Sequence, residues 1–140
     1  MPFTGNTLEF DAIFDQSAIY KIEPSNQTDI NKLAGFSDCN SYLEHHTNSA
    51  RFGWNWTDSL NIYAYCYVRG RASHKYITSV NLNKVYRYRI YKCASKYLFC
   101  LNGKSVWMER NNKEGSGYTL FPYFGGQSKS PHDIKIKLLI

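Results

Sequence analysis

The side chains in this sequence best suited to chemistry are Arg51, Asn55, Tyr63, Tyr65, Tyr67 and Arg69. A tyrosine ring offers flat apolar area and a hydroxyl, while a guanidinium and an amide add planar sets of donors and acceptors. That combination grips a sugar ring by stacking and its hydroxyls by hydrogen bonds. Between Leu60 and Arg69 the pattern alternates strictly. Leu60, Ile62, Ala64, Cys66 and Val68 face one way, and Asn61, Tyr63, Tyr65, Tyr67 and Arg69 face the other, which is the period of a half-buried strand. Tyrosine is also favoured in strands for cross-strand packing alone, so the same face reads equally as the inside of a further layer.

Other constellations carry less. Glu9 and Asp11, two apart on a strand, share a face as paired glycosidase carboxylates do, but no further acid follows on that face and a solvent-facing role is favoured. His45, His46, His74 and His132 are scattered among expected loops. Cys39, Cys66, Cys93 and Cys100 lack zinc-ligand spacing, so no metal or cofactor is expected and the thiols are expected to be free. Cys66 reads as a small buried hydrophobe. No Ser/His/Asp or Cys/His signature and no glycine-rich phosphate loop is present, and no residue is assigned a catalytic role.

The elements that position the first group can be argued in register. Ala50, Phe52, Trp54 and Trp56 alternate against Ser49, Arg51, Gly53 and Asn55, and only Thr57, Asp58 and Ser59 separate this strand from the next. A two-residue turn would pair Trp54 with Tyr63 and drive Arg51 to the apolar side, where an unpaired charge is costly. A three-residue turn pairs Trp56 with Leu60, Trp54 with Ile62 and Phe52 with Ala64, which keeps the apolar groups together and sets Arg51, Gly53 and Asn55 beside the tyrosines.

Around that hairpin, strands are expected at Thr7 to Phe14, Tyr76 to Leu82, Val85 to Lys92, Tyr118 to Tyr123 and Asp133 to Ile140. Asn102-Gly103 predicts a tight hairpin between Tyr97–Leu101 and Lys104–Arg110, pairing Phe99 with Val106 and Tyr97 with Met108 on a core face, and Leu98 with Trp107 and Lys96 with Glu109 opposite. Ile30, Leu33 and Ala34 sit at helical spacing, so one short helix is expected over Thr28 to Ala34, ended by Gly35. Short strands at regular spacing predict an all-β fold, a two-sheet antiparallel β-sandwich of jelly-roll type forming a single domain over residues 1–140.

The chain has 140 residues and a net charge of +6, distributed unevenly. Residues 1–44 hold seven acids against two bases, and residues 69–113 hold eleven bases against one acid. A basic middle suits an anionic partner, and pairing of the two halves within the fold accounts for the same distribution without one. No run approaches the ~18 apolar residues of a membrane span, so no membrane insertion is expected. The first ten residues lack a signal-peptide layout, which leaves a cytoplasmic protein, or an extracellular or cell-surface one whose leader has been removed.

The stretch from Arg51 to Trp56 followed by Leu60 to Tyr65, the Tyr97–Leu101 strand with its Asn102-Gly103 turn, and the closing Pro131 to Ile136 resemble the concanavalin A-like lectin and glucanase superfamily. The resemblance is architectural and spans most of residues 49–140. It implies a curved jelly roll whose concave sheet binds carbohydrate. The Glu-x-Asp-x-Glu motif of that superfamily's glucanases has no counterpart, since Glu9 and Asp11 are followed by Ile13.

The expected function is therefore non-catalytic, lectin-like binding of a polysaccharide or oligosaccharide on a concave face lined by Arg51, Asn55, Tyr63, Tyr65, Tyr67 and Arg69, with the arginines favouring a uronate or sulfated sugar. One alternative is a polysaccharide lyase or glycoside hydrolase using the same face. Others are nucleic-acid binding, through Arg87, Arg89 and Lys92 interleaved with Tyr86, Tyr88 and Tyr91, and docking of a protein partner through exposed tyrosines.

Overall fold

A computed structural model describes residues 2–41, 44–125 and 129–139. Among them are eleven strands: β1 (Pro2–Phe3), β2 (Thr7–Phe14), β3 (Asn31–Ser37), β4 (Ser49–Trp56), β5 (Leu60–Val68), β6 (Arg71–Val80), β7 (Tyr86–Lys92), β8 (Lys96–Leu101), β9 (Lys104–Glu109), β10 (Gly117–Leu120) and β11 (Ile136–Leu139). They form two antiparallel sheets, in the order β1-β10-β3-β4-β5-β6 and β11-β2-β7-β8-β9, the all-β sandwich expected. The helical content of the described residues is one 3-10 turn, Gln16–Ala18, capped by the Asp15 carboxylate accepting from the Ser17 N–H at 2.8 Å.

The inner faces meet through rings. Phe52 of β4 packs edge-on to Phe10, Tyr88 and Phe99 of the facing sheet at centroid distances of 5.8, 5.0 and 5.1 Å, and Phe14 meets Trp54 at 5.2 Å. Edge-to-face pairs of this kind add about 0.5–1.5 kcal/mol each beyond the area they remove from water. Leu8, Phe10, Ala12 and Phe14 of β2 all fall in this one apolar cluster, as does Cys66 of β5.

Both argued registers are observed. Trp56 pairs with Leu60, Trp54 with Ile62 and Phe52 with Ala64. Phe99 pairs with Val106, Tyr97 with Met108, Leu98 with Trp107 and Lys96 with Glu109, around Asn102 and Gly103 with φ of 50° and 76°.

Three expectations are corrected. The helix over residues 28–34 does not form: residues 31–37 are the strand β3, hydrogen-bonded between β4 and β10. Its ladder runs Lys32 with Gly53, then Gly35 with Arg51, so β3 advances three residues where β4 advances two. That bulge breaks the alternation and leaves Leu33 and Ala34 both fully buried, which imitates helical spacing in the sequence. The second correction is β6, which starts at Arg71 rather than Tyr76. Arg69 and Gly70, with φ of 52° and 79°, make a two-residue hairpin turn directly onto Arg71. Arg71 to Tyr76 lie exposed on the outer strand of the sheet, so no apolar period marks them. The closing strand is shorter than expected, Ile136–Leu139, and Ile140 lies outside the described residues.

The acidic and basic halves of the sequence pair within the fold. On the outer face of β2 and β7, Arg87 lies 2.9 Å from Asp11 and 3.2 Å from Glu9, and Arg89 lies 3.2 Å from Glu9. In the interior, the Asp38 carboxylate at the end of β3 accepts from Arg110 Nε at 2.7 Å, from Lys92 Nζ at 3.4 Å and from the Tyr97 hydroxyl, tying one sheet to the other.

Candidate functional site

The outer face of β4 and β5 is assembled in rows set by the register. Gly35, Arg51, Tyr65 and His74 form one row, and Lys32, Gly53, Tyr63 and Tyr76 the next, with Tyr123 bridged to Lys32 on the far side. Gly53 has a packing reason: a Cβ there would lie 2.3 Å from Ile30 Cγ2, so the glycine lets the chain before β3 close over the sheet. Gly35 likewise leaves room for Arg51 to lie flat, since a Cβ would come within 2.8 Å of Arg51 Cγ.

Of the six residues read from the sequence, two are covered. Arg51 is only 3% exposed, and its Nη2 donates to the carbonyls of Leu33 at 3.1 Å and Phe121 at 2.6 Å, with the guanidinium 4.9 Å from the Tyr123 ring centroid. Asn55 is buried, donating to the Thr28 carbonyl at 3.0 Å and accepting from Asn61 Nδ2 at 3.0 Å and the Tyr63 hydroxyl at 3.4 Å. Both hold the flanking segments, 28–33 and 121–123, against the sheet. Arg69 stands apart, exposed in the β5–β6 turn with its N–H donating to Asn48 Oδ1 at 3.2 Å.

Tyr63, Tyr65 and Tyr67 are half-buried and belong to a continuous strip of rings. Tyr76 meets Tyr63 at 5.9 Å, Tyr63 meets His74 at 6.0 Å, and His74 lies parallel to Tyr65 at 6.4 Å and 7°. Tyr65 then meets Tyr67 at 5.8 Å, and His46 closes the strip against Tyr67 at 5.1 Å. The middle of the strip forms one wall of a groove of about 510 Å³, whose other lining residues are Thr28, Asp29, Ile30 and Lys32.

Lys32 gives the groove its charge. It is 7% exposed, its Nζ donates to the Ile30 carbonyl at 2.6 Å, and it lies 4.2 Å from the Tyr65 ring centroid and 5.8 Å from that of Tyr123. Behind it lies a second cavity of about 230 Å³, lined by Lys32 together with Trp54, Tyr123, Phe124 and His132. Burial, reinforced by the neighbouring Arg51 charge and opposed by Asp29, lowers the Lys32 ammonium to about 8. Burial also lowers Arg51 to about 10. Tyr65 moves the other way, pushed well above the ordinary phenol value first by burial and then by its contact with Tyr67.

The remaining candidates have structural partners. Glu9 and Asp11 are engaged by Arg87 and Arg89, and among the described residues no group of His, Cys, Asp and Glu is placed to hold a metal ion. Asp38 is held below the ordinary carboxylate value: burial raises it, and the bonds from Arg110, Tyr97 and the Cys39 N–H, with the Lys92 charge, lower it further.

Sequence reasoning missed Lys32, Asp29 and His74 as groove residues. His74 had a signal, since a two-residue turn at Arg69-Gly70 pairs it with Tyr65. Lys32 had none, because its segment carried the spacing of a helix. No protein-family model, curated protein or solved structure matches this chain.

Proposed function

We propose that this chain is a lectin-like, non-catalytic carbohydrate-binding domain of concanavalin A-like, jelly-roll architecture, which takes an oligosaccharide segment in the groove between Asp29, Lys32 and the Tyr63–His74–Tyr65 strip. The observation that carries this reading is the open run of rings beside convergent polar groups. Tyr63, Tyr65 and His74 supply flat faces for pyranose rings, and Asp29, Thr28 and Lys32 supply acceptors and donors at the rim and floor. Arg51 and Asn55 serve from beneath by holding the segments that make the groove's other wall.

A lyase reading would need a tyrosine that gives up its proton near neutral pH. Tyr65, the ring nearest the cation, is held protonated by burial, which suits a hydrogen-bond donor better than a base. The test is titration of the protein against a panel of soluble plant, algal and animal oligosaccharides, followed by calorimetry. Tyr63→Ala and His74→Ala are each expected to weaken binding by about three- to tenfold, the worth of one stacked ring. A panel in which no oligosaccharide binds the unsubstituted protein overturns the proposal.

A further inference from the structure

The protein contains two buried pairs of cations, and they are treated differently. Lys92 and Arg110, with side chains 7% and 6% exposed, share the buried carboxylate of Asp38. Lys32 and Arg51 are just as deeply placed, and both reach the ring of Tyr123, yet neither makes an ion pair among the described residues. All eleven Asp and Glu side chains lie among the described residues, and the ion pairs made there go to Glu9, Asp11 and Asp38. Lys32 and Arg51 bond only to carbonyl oxygens and lie against ring faces, the Asp29 charge acts on Lys32 without forming an ion pair, and the Nε of Arg51 has no acceptor among the described residues. Carbonyls and rings supply partial charges. A buried cation ordinarily has a full counter-charge, because removing an ion from water costs several kcal/mol that partial charges do not return.

Resting on the carbohydrate reading above, we infer that the ligand of the groove is anionic, a sugar carrying a carboxylate or sulfate that pairs with the Lys32 ammonium and completes the charge balance of the Lys32–Arg51 pair. Lys32 reaches the groove beside Tyr65, so the acidic group sits at that end, with its sugar ring over Tyr65 and His74. Asp29 lies on the groove's rim and repels a second acidic group, so it orients the ligand and leaves the neighbouring unit to present hydroxyls there. The arrangement sacrifices stability of the free protein for recognition.

The experiment has three arms, all on the full chain. The first compares melting temperatures of the unsubstituted protein, Lys32→Met and Lys32→Gln in chloride. Both variants are expected to melt at or above the unsubstituted protein, since each removes an unpaired buried charge, and Lys32→Gln keeps a donor for Ile30. A lower melting temperature for both overturns the inference. The second arm replaces chloride with glucuronate or sulfate at equal ionic strength. The unsubstituted protein is expected to gain melting temperature and the two variants to gain none, with the stronger anion distinguishing a uronate from a sulfate site.

The third arm titrates oligogalacturonate against its methyl ester, which has the same sugars without the charge. The acid is expected to bind at least tenfold tighter, and that difference is expected to vanish in Lys32→Met. Equal binding of acid and ester, with no anion-specific stabilisation, overturns the inference while the carbohydrate reading stands. Anion-specific stabilisation with no oligosaccharide bound leaves the anion site standing and removes the carbohydrate reading.

Discussion

The ammonium of Lys32 lies 4.2 Å from the centre of the Tyr65 ring, although the two residues are on strands separated by β4. Gly53, paired with Lys32 on one side and with Tyr63, the neighbour of Tyr65 on the same face, on the other, has no side chain to keep them apart. A cation over a ring gains about 0.5–2 kcal/mol, which offsets only part of the cost of burying it. Four consequences can be measured.

The penalty on Lys32 depends on pH in a definite direction. Its ammonium titrates at about 8 in the folded protein against 10.5 for an ordinary lysine, so below pH 8 it is charged in both states and the penalty is complete. As pH rises from 8 towards 10.5 the folded state releases the proton first, the unfolded state binds more protons, and stability rises. Arg51, lowered by burial to about 10, keeps its charge across the lower part of this window, and Tyr65 and Tyr123, both raised by burial, stay neutral. Urea unfolding at pH 7 and pH 9.5 should therefore show the unsubstituted protein gaining on Lys32→Met. A constant gap would contradict the burial of this charge.

Asp38 is the opposite case. Asp38→Asn leaves Lys92 and Arg110 buried without their carboxylate and is expected to cost about 3–5 kcal/mol, read as a lower urea midpoint with unchanged slope. Because the Asp38 carboxyl is held below its unfolded value, its contribution is present at neutral pH and is lost as pH falls through the acid range. A variant as stable as the unsubstituted protein would show that the cluster does not join the sheets energetically.

Gly35→Ala tests the path of Arg51. The added Cβ would lie 2.1 Å from the Ala50 carbonyl oxygen and 2.5 Å from Arg51 Cα, both backbone atoms in a paired strand that cannot swing aside. A loss of about 1–3 kcal/mol is expected from thermal unfolding. Full stability would mean that β3 and β4 are further apart than described.

His74→Ala separates folding from binding. The ring is exposed on β6 and faces the groove, so its removal should change stability by no more than about 0.5 kcal/mol while weakening ligand binding. A large fall in melting temperature would assign His74 to the structure instead.

Much of the fold is legible in local chemistry. Strict alternation in β2, β4 and β5 chooses a buried face without reference to anything distant, and the cost of turning Arg51 into the core selects the three-residue turn. Asn102-Gly103 does the same for β8 and β9, because few residues tolerate the positive φ that such a turn requires. In these elements the local signal and the structure agree.

The site itself is decided at long range. An alternating pattern says which side chains share a face but not what will cover it, so the sequence does not show that Arg51 and Asn55 are buried and bonded to the carbonyls of Leu33, Phe121 and Thr28. The bulge at Leu33 and Ala34 hides a central strand behind helical spacing, because burial on both faces removes the polar half of the alternation. Lys32 enters the groove only through that strand, and its lack of an ion pair among the described residues appears only when their Asp and Glu side chains have been located in space. Composition and period determine the sandwich, and the pairing of remote charges determines which buried cations have a carboxylate partner and which do not among the described residues.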